Sequence, residues 1–331
     1  MCLATQRHRL PPLFVPWSLC ARNRVGTHRR PDGTEANKGN PIVNKKLLAA
    51  LAVVPLVALL AGCSGAAADE TVKIGVVGAS DPYWAVYEEA AADAGITVDI
   101  VDFTEFGQPN PALSAGELDL NQFQHIVYLA EYNVASKEDL APVGATAIYP
   151  LALYSTQYDD VSKIKKGDTV AVPNDASNLA RALLVLQSAK LITLSDGGSI
   201  YSTLDDIDKK KSKVTVTALE ASLTATSLPD VAAAIINNDF VEKAGLKVED
   251  ALAQDDPADP NALPYVNVFA ARAKDKDNAT YQKLVEIYQT TKAVQDGVID
   301  VSAGSAVMVK TPVADLEASL ATVEKDTIAQ R

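Results

Sequence analysis

The sequence predicts an α/β protein of two lobes. Three observations predict it. Apolar strand-like runs alternate with helical patterns, the alternation starts afresh about a hundred residues further on, and an export-type leader precedes both series.

Residues 71–78 (TVKIGVVG) read as a buried strand ending in a glycine turn. Residues 82–94 read as a helix and 97–103 (TVDIVDF) as a second strand. Residues 110–116 read as a short helix closed by Gly116. Residues 118–123 and 143–155 are strand-like, with a helix over 128–134 between them. The second series opens at 166–172 (KGDTVAV). Pro173-Asn174-Asp175 makes a turn, and Ser177 is placed to cap a helix running to about Lys190. Residues 214–219 read as a strand, 228–237 as a helix, and 264–271 as the last clear strand. Tyr281, Leu284, Val285 and Tyr288 mark one face of a helix expected to end near Gly297. The charged run 205–213 reads as a solvated loop. Such alternation argues for parallel α/β layers, with a ligand cleft between the lobes.

The leader begins at Lys45-Lys46, followed by the uncharged run 47–61 (LLAALAVVPLVALLA). A basic start and a short apolar stretch form a signal-peptide pattern. The run falls short of the ~20 residues that span a bilayer, and Pro55 disfavours a permanent transmembrane helix. Leu60-Ala61-Gly62-Cys63 resembles the bacterial lipobox. That resemblance makes 43–62 a lipoprotein signal peptide, Cys63 the lipidated residue and 63–70 its tether, on the extracytoplasmic face of the cell membrane. Residues 1–42, rich in Pro and Arg, do not fit a signal peptide and are expected to be a mis-assigned extension ahead of a start at Val43.

The 331 residues carry a formal charge of −12, unevenly spread. Residues 1–62 hold nine basic and two acidic side chains, leaving a net −19 from Cys63 onward. So acidic a body repels nucleic acid. The three cysteines, Cys2, Cys20 and Cys63, have neither zinc-site spacing nor a disulfide pattern. No metal and no cofactor is expected. No P-loop, G-x-G-x-x-G or G-x-S-x-G occurs, and a Ser–His–Asp triad could recruit only His125 after the leader. The chain is therefore expected not to be an enzyme.

Beyond Cys63 there are three arginines, Arg181, Arg272 and Arg331, against eighteen lysines. Such rarity suggests a need for the planar guanidinium fork. Arg181 lies in the first turns of the helix after Pro173-Asn174-Asp175. A carboxylate held there would meet the guanidinium, nearby amides and the positive helix end together. The alternative is a surface salt bridge. His125, within Asn121-Gln122-Phe123-Gln124-His125, is either the polar tip of an aromatic box or a satisfied buried histidine. Metal binding is disfavoured, with no second histidine or cysteine near it.

At these segments the chain resembles the NlpA/MetQ family, the methionine-binding lipoproteins of ABC importers. The likeness covers nearly everything after the leader. It is densest in Phe103-Thr104-Glu105-Phe106, Pro109-Asn110-Pro111-Ala112-Leu113, Gly116-Glu117-Leu118-Asp119 and Asn121-Gln122-Phe123-Gln124-His125 with Tyr128-Leu129. It continues through Val170-Ala171-Val172-Pro173-Asn174-Asp175, Asn178 with Arg181-Ala182-Leu183, the stretch to Asn237, and Pro264-Tyr265-Val266-Asn267. The resemblance implies a type II periplasmic-binding-protein-like fold, with lobe one over 71–148 plus 265–331 and lobe two over 149–264. The crossovers would fall at Tyr149-Pro150 and near Tyr265. By position, Phe106, Phe123, His125 and Tyr128 would wall a side-chain pocket. Arg181 would clamp the ligand carboxylate with Asn178 beside it, and Asn237 and Asn267 would hold the amino-acid end. Aromatic faces suit a thioether, at roughly 0.3–1.5 kcal/mol per sulfur contact. Phe106 stands where the family usually has tyrosine, and the unusual Asp81-Pro82-Tyr83-Trp84 makes Trp84 a candidate cleft residue.

The resemblance implies a monomeric binding protein that takes L-methionine and delivers it to an ABC permease and its ATPase. A methionine-containing dipeptide or another apolar amino acid is the alternative ligand. Two other classes compete: a surface scaffold or adhesin lipoprotein, indifferent to Arg181, and an exported hydrolase dependent on His125.

Overall fold

The computed structural model describes residues 71–330; the expected extension, signal peptide, Cys63 and its tether lie outside them. The first lobe is built on a five-stranded sheet ordered β2-β1-β3-β11-β4. Its strands are β1 (Val72–Val77), β2 (Val98–Phe103), β3 (Leu120–His125), β4 (Leu140–Ala145) and β11 (Asn267–Arg272). β1 pairs in parallel with β2 and β3, whereas β11 runs antiparallel between β3 and β4. The sheet is thus mixed, not parallel as the sequence suggests. β11 re-enters from the second lobe at the end where β3 finishes, Asn267 opposite His125, and can only run back.

Both faces of this sheet are covered, which is why β1 is apolar almost without alternation. One face packs under α1 (Tyr83–Asp93), α7 (Ala279–Thr290) and α8 (Lys292–Val301), through Trp84, Tyr87, Leu284, Tyr288 and Val298. The other packs under α2 (Pro109–Ser114), α3 (Ile126–Ser136) and α9 (Val313–Gln330), through Leu113, Leu129, Leu316 and Leu320. Gly297 was the expected stop of a single helix, yet it lies inside α8. A Cβ on Gly297 would sit 2.6 Å from Tyr83 Cβ, so the glycine marks the close crossing of α8 over α1. The chain breaks instead at Thr291, between α7 and α8.

Trp84 is not a cleft residue. It is 2% exposed in the first core, its ring centroid 5.7 Å from that of Tyr87 and 6.2 Å from that of Tyr288. The reason is helical phase: Tyr83, Trp84 and Tyr87 share the face of α1 that meets the sheet and α7.

The second lobe's sheet is ordered β10-β6-β9-β7-β8. Its strands are β6 (Ala152–Tyr154), β7 (Thr169–Pro173), β8 (Thr215–Leu219), β9 (Ala233–Ile236) and β10 (Ala253–Gln254). β7 is parallel to β8 and β9, while β6 is antiparallel to β9 and to β10. α4 (Ala176–Ser188) packs Leu183 and Leu186 onto one face. α5 (Ala221–Thr226) and α6 (Asn238–Val241) lie on the other, with Ala225 and Phe240.

Two expectations fail here. The strand-like stretch 143–155 is three strands: the end of β4, β5 (Ala147–Ile148) and β6, with β5 pairing β12 (Val307–Met308) away from either large sheet. The helix expected over 228–237 is instead the buried strand β9. A short apolar run reads alike as either element, and here unpaired edges of β6 and β7 decide it. No helix of the described residues is long and apolar enough to cross a membrane.

Candidate functional site

The site starts with a buried amide cluster. Asn121 and Gln124 lie in β3, and Asn110 in α2. Asn121 Nδ2 donates to Asn110 Oδ1 at 2.8 Å, Asn110 Nδ2 to Gln124 Oε1 at 2.7 Å, and Gln124 Nε2 to Asn121 Oδ1 at 2.8 Å. These bonds satisfy polar groups that burial would otherwise penalise, and they fix α2 to the end of β3. His125 therefore emerges at a defined place, the C-terminal end of the central strand β3.

His125 is also the N-cap of α3: its Nδ1 accepts from the Tyr128 amide at 3.2 Å. That leaves Nε2 as the protonated nitrogen, which donates to Asn178 Oδ1 at 3.3 Å. Asn178 belongs to the second lobe, so this bond crosses between the sheets. Asn178 Nδ2 in turn donates to both carboxylate oxygens of Asp175, at 3.0 and 3.2 Å. Asp175, not Ser177, caps α4, accepting from the Asn178 amide at 2.9 Å. Ser177 donates its hydroxyl to Asp175 Oδ1 instead. Burial raises the Asp175 carboxyl despite these bonds. The cap engages the Asn178 amide of the first turn, and the guanidinium of Arg181, further along α4, lies on the cavity lining.

Arg181 is 5% exposed and held on three sides. Its Nε donates to Asp255 Oδ2 at 2.5 Å and its Nη2 to the Tyr149 carbonyl at 2.9 Å. The ring of Tyr265 lies under the guanidinium, 4.3 Å from Cζ to centroid. Asp255 Oδ1 also accepts from the Leu151 amide, tying this corner to the crossover between the sheets. The fork is thus fixed while Nη1 makes no hydrogen bond among the described residues.

Burial, and next the Arg181 charge, push His125 down to about 3. The imidazole is neutral at physiological pH. Because the unfolded histidine protonates near 6.5, stability falls as pH drops from there toward about 3, by up to about 1.4 kcal/mol per pH unit from this group. As the sole histidine of the described residues, His125 is expected to give one imidazole NMR signal that does not titrate between about pH 5 and 8. A midpoint near 6.5 would contradict this environment.

All eight residues singled out in the sequence, Phe106, Phe123, His125, Tyr128, Asn178, Arg181, Asn237 and Asn267, line one cavity. The space inside it for water-sized groups is about 40 Å³. One wall is aromatic. Phe106 lies 6.0 Å from Phe123 and 5.4 Å from Phe240 of the second lobe, and Phe123 meets Tyr128 edge-on at 5.5 Å. The missing hydroxyl at Phe106 is consistent with this all-apolar contact. The lining is polar as well, with Arg181, Asn237 and Asn267. Asn178 lines the cavity but has both halves of its amide engaged, so it orients His125. Asn237 Oδ1 is buried with no donor. Sequence reading missed Gln124, Tyr149, Asn238 and Asp239 in the lining, and Asp255 behind Arg181.

Residues 72–309 match the family described as NlpA lipoprotein, a span that includes every cavity residue. The chain belongs to the NlpA lipoprotein family. Among NlpA relatives, outer membrane lipoprotein 1 of Mannheimia haemolytica is 38% identical over 236 residues, 70% of this chain and 83% of that protein. The probable D-methionine-binding lipoprotein MetQ of Haemophilus influenzae is 36% identical over 264 residues, 76% of this chain and 94% of that one. In structure, a nutrient-binding protein of Burkholderia cenocepacia bound to methionine superposes with a TM-score of 0.66 at 34% identity, covering 72% of this chain and 99% of its own. The two-lobed fold is therefore that of NlpA-type substrate-binding proteins. Among the described residues, no group of His, Cys, Asp and Glu could hold a metal ion.

Proposed function

We propose that this chain captures methionine outside the cytoplasm and delivers it to an ABC permease driven by its ATPase. The observation that carries the reading is one cavity lined both by aromatic rings and by a fixed guanidinium with amide groups. The aromatic wall suits a flexible thioether. Arg181 Nη1 suits the ligand carboxylate, and Asn237 Oδ1 lacks the donor that an ammonium would bring. Lobe one, 71–148 with 265–331, would close on lobe two, 149–264, about Tyr149-Pro150 and Tyr265. Ligand favours the closed form by its higher affinity for it, and closure presents both lobes to the permease. A lipid anchor on Cys63 would hold the monomer at the membrane's outer face. No chemistry is performed on the ligand. Both nitrogens of His125 are engaged, one accepting and one donating, so the ring has no lone pair free to act as a base.

The test is calorimetric titration after unfolding and refolding to strip bound ligand, using L-methionine, D-methionine, a methionyl dipeptide and leucine. Saturable binding of methionine is expected. If only another of these binds, the named ligand falls; if a correctly refolded protein binds none, the scaffold reading replaces this one.

A further inference from the structure

The polar lining of the cavity holds more acceptor than the two asparagines supply. Two residues beyond Asn237, Asp239 lines the same cavity and makes no ion pair within the described residues. Asn237 Oδ1, of the same cavity lining, is buried and without a donor. The same cavity is therefore lined by a buried carbonyl oxygen without a donor and by a carboxylate without an ion pair, while Arg181 lines the same space with donors to spare. An α-ammonium has three N–H donors and a full positive charge, and it is the group that satisfies both.

We propose that Asp239 is the counter-charge for the ligand's ammonium, sharing it with Asn237, and that it sets a preference for an amino acid over the same carboxylic acid without its amine. The proposal rests on the amino-acid-binding reading above. Its surroundings add a pH dependence. Burial first, and then Asp81 from the loop between β1 and α1, lift the Asp239 carboxyl to about 7, against the opposing pull of Lys243 just beyond α6. Asp81 itself is raised by burial, with Glu242 and Asp102 adding to the effect. The phenols of Tyr83 and Tyr149 face the pair and stay un-ionised, both raised by burial. His125, pushed down to about 3, does not change charge near neutrality.

In the free protein Asp239 is thus about half protonated near pH 7. An ammonium stabilises its carboxylate, so binding expels the proton. Affinity for methionine falls as pH drops below about 7, by up to about tenfold per unit, and levels off above it. The amine-free analogue, 4-(methylthio)butanoate, gains nothing from this carboxylate.

The experiment uses the full chain, purified in detergent and stripped of ligand. L-methionine and the analogue are titrated between about pH 5.5 and 8.5 into wild type and Asp239→Asn. Wild type is expected to bind methionine with the pH profile above. In the variant the profile flattens, and methionine's advantage over the analogue shrinks by roughly 10- to 100-fold. Repeating the wild-type titration at about pH 7 in buffers of different ionisation heat is expected to show proton release, which needs no variant. A folded variant with wild-type affinity and pH profile, or no proton release from wild type, overturns the assignment and leaves methionine binding standing. A refolded wild type that binds neither compound overturns the amino-acid reading itself.

Discussion

Replacing Arg181 by alanine is expected to weaken methionine binding by about 2–5 kcal/mol, roughly 30- to 5,000-fold. Two losses combine. The ligand carboxylate loses its charge-assisted partner in a site closed by aromatic rings. Asp255, which accepts from Arg181 Nε at 2.5 Å, keeps only the Leu151 amide and brings an uncompensated negative charge toward the cavity. Arg181→Lys is expected to recover little, because an ammonium cannot bond Asp255 and the Tyr149 carbonyl while also lying flat on Tyr265. Calorimetric titration reads the effect directly. An alanine variant within threefold of wild type would remove Arg181 from the binding machinery.

Trp84→Ala is expected to cost about 3–5 kcal/mol of folding stability and to leave methionine affinity in the folded fraction nearly unchanged. The indole fills the space between Tyr83, Tyr87 and Tyr288, on the face of the first sheet covered by α1 and α7. Little there is free to fill the void, because Tyr87 and Tyr288, which face the indole, are themselves fully buried. Its Nε1 is buried without an acceptor, so the tryptophan contributes apolar area and not a hydrogen bond. Urea denaturation measures the loss. A loss of affinity without a loss of stability would move Trp84 to the cleft.

These two residues show what the sequence could and could not say. Arg181 is legible because it is rare in a lysine-rich chain and follows a turn that opens a helix. Its partner Asp255 is not legible: it lies seventy-four positions away among forty-two acidic residues, and only the return of the chain to β6 brings it near. For Trp84 the unusual string Asp81–Trp84 suggests the cleft, whereas the phase of α1 against the sheet decides where the ring goes. The string from Asn121 to His125 reads well because its amides and its histidine act within a few residues of each other. Asp239 offers no such local sign, since its character comes from burial first and then from Asp81 in the other lobe. Likewise β9 becomes a strand only because β6 and β7 flank it. Local alternation fixed the class of most elements; partners distant in the chain decided the rest.

The place of β11 between β3 and β4 governs the order in which the molecule can assemble. Until Asn267–Arg272 has emerged, β4 has no neighbour in its own sheet and β3 keeps an open edge. The second sheet has no such wait, because all its strands fall between residues 152 and 254. A chain delivered from its N-terminus therefore folds its middle first and finishes its beginning last, against the usual tendency of the N-terminal part to fold earliest. The late pairing spans more than a hundred residues, the kind of non-local contact that slows folding and exposes strand edges meanwhile. One consequence is protective. Fragments truncated before Asn267 lack one residue of the cavity's polar lining and the strand that joins β3 to β4, so they are expected to compete poorly with intact chains for ligand.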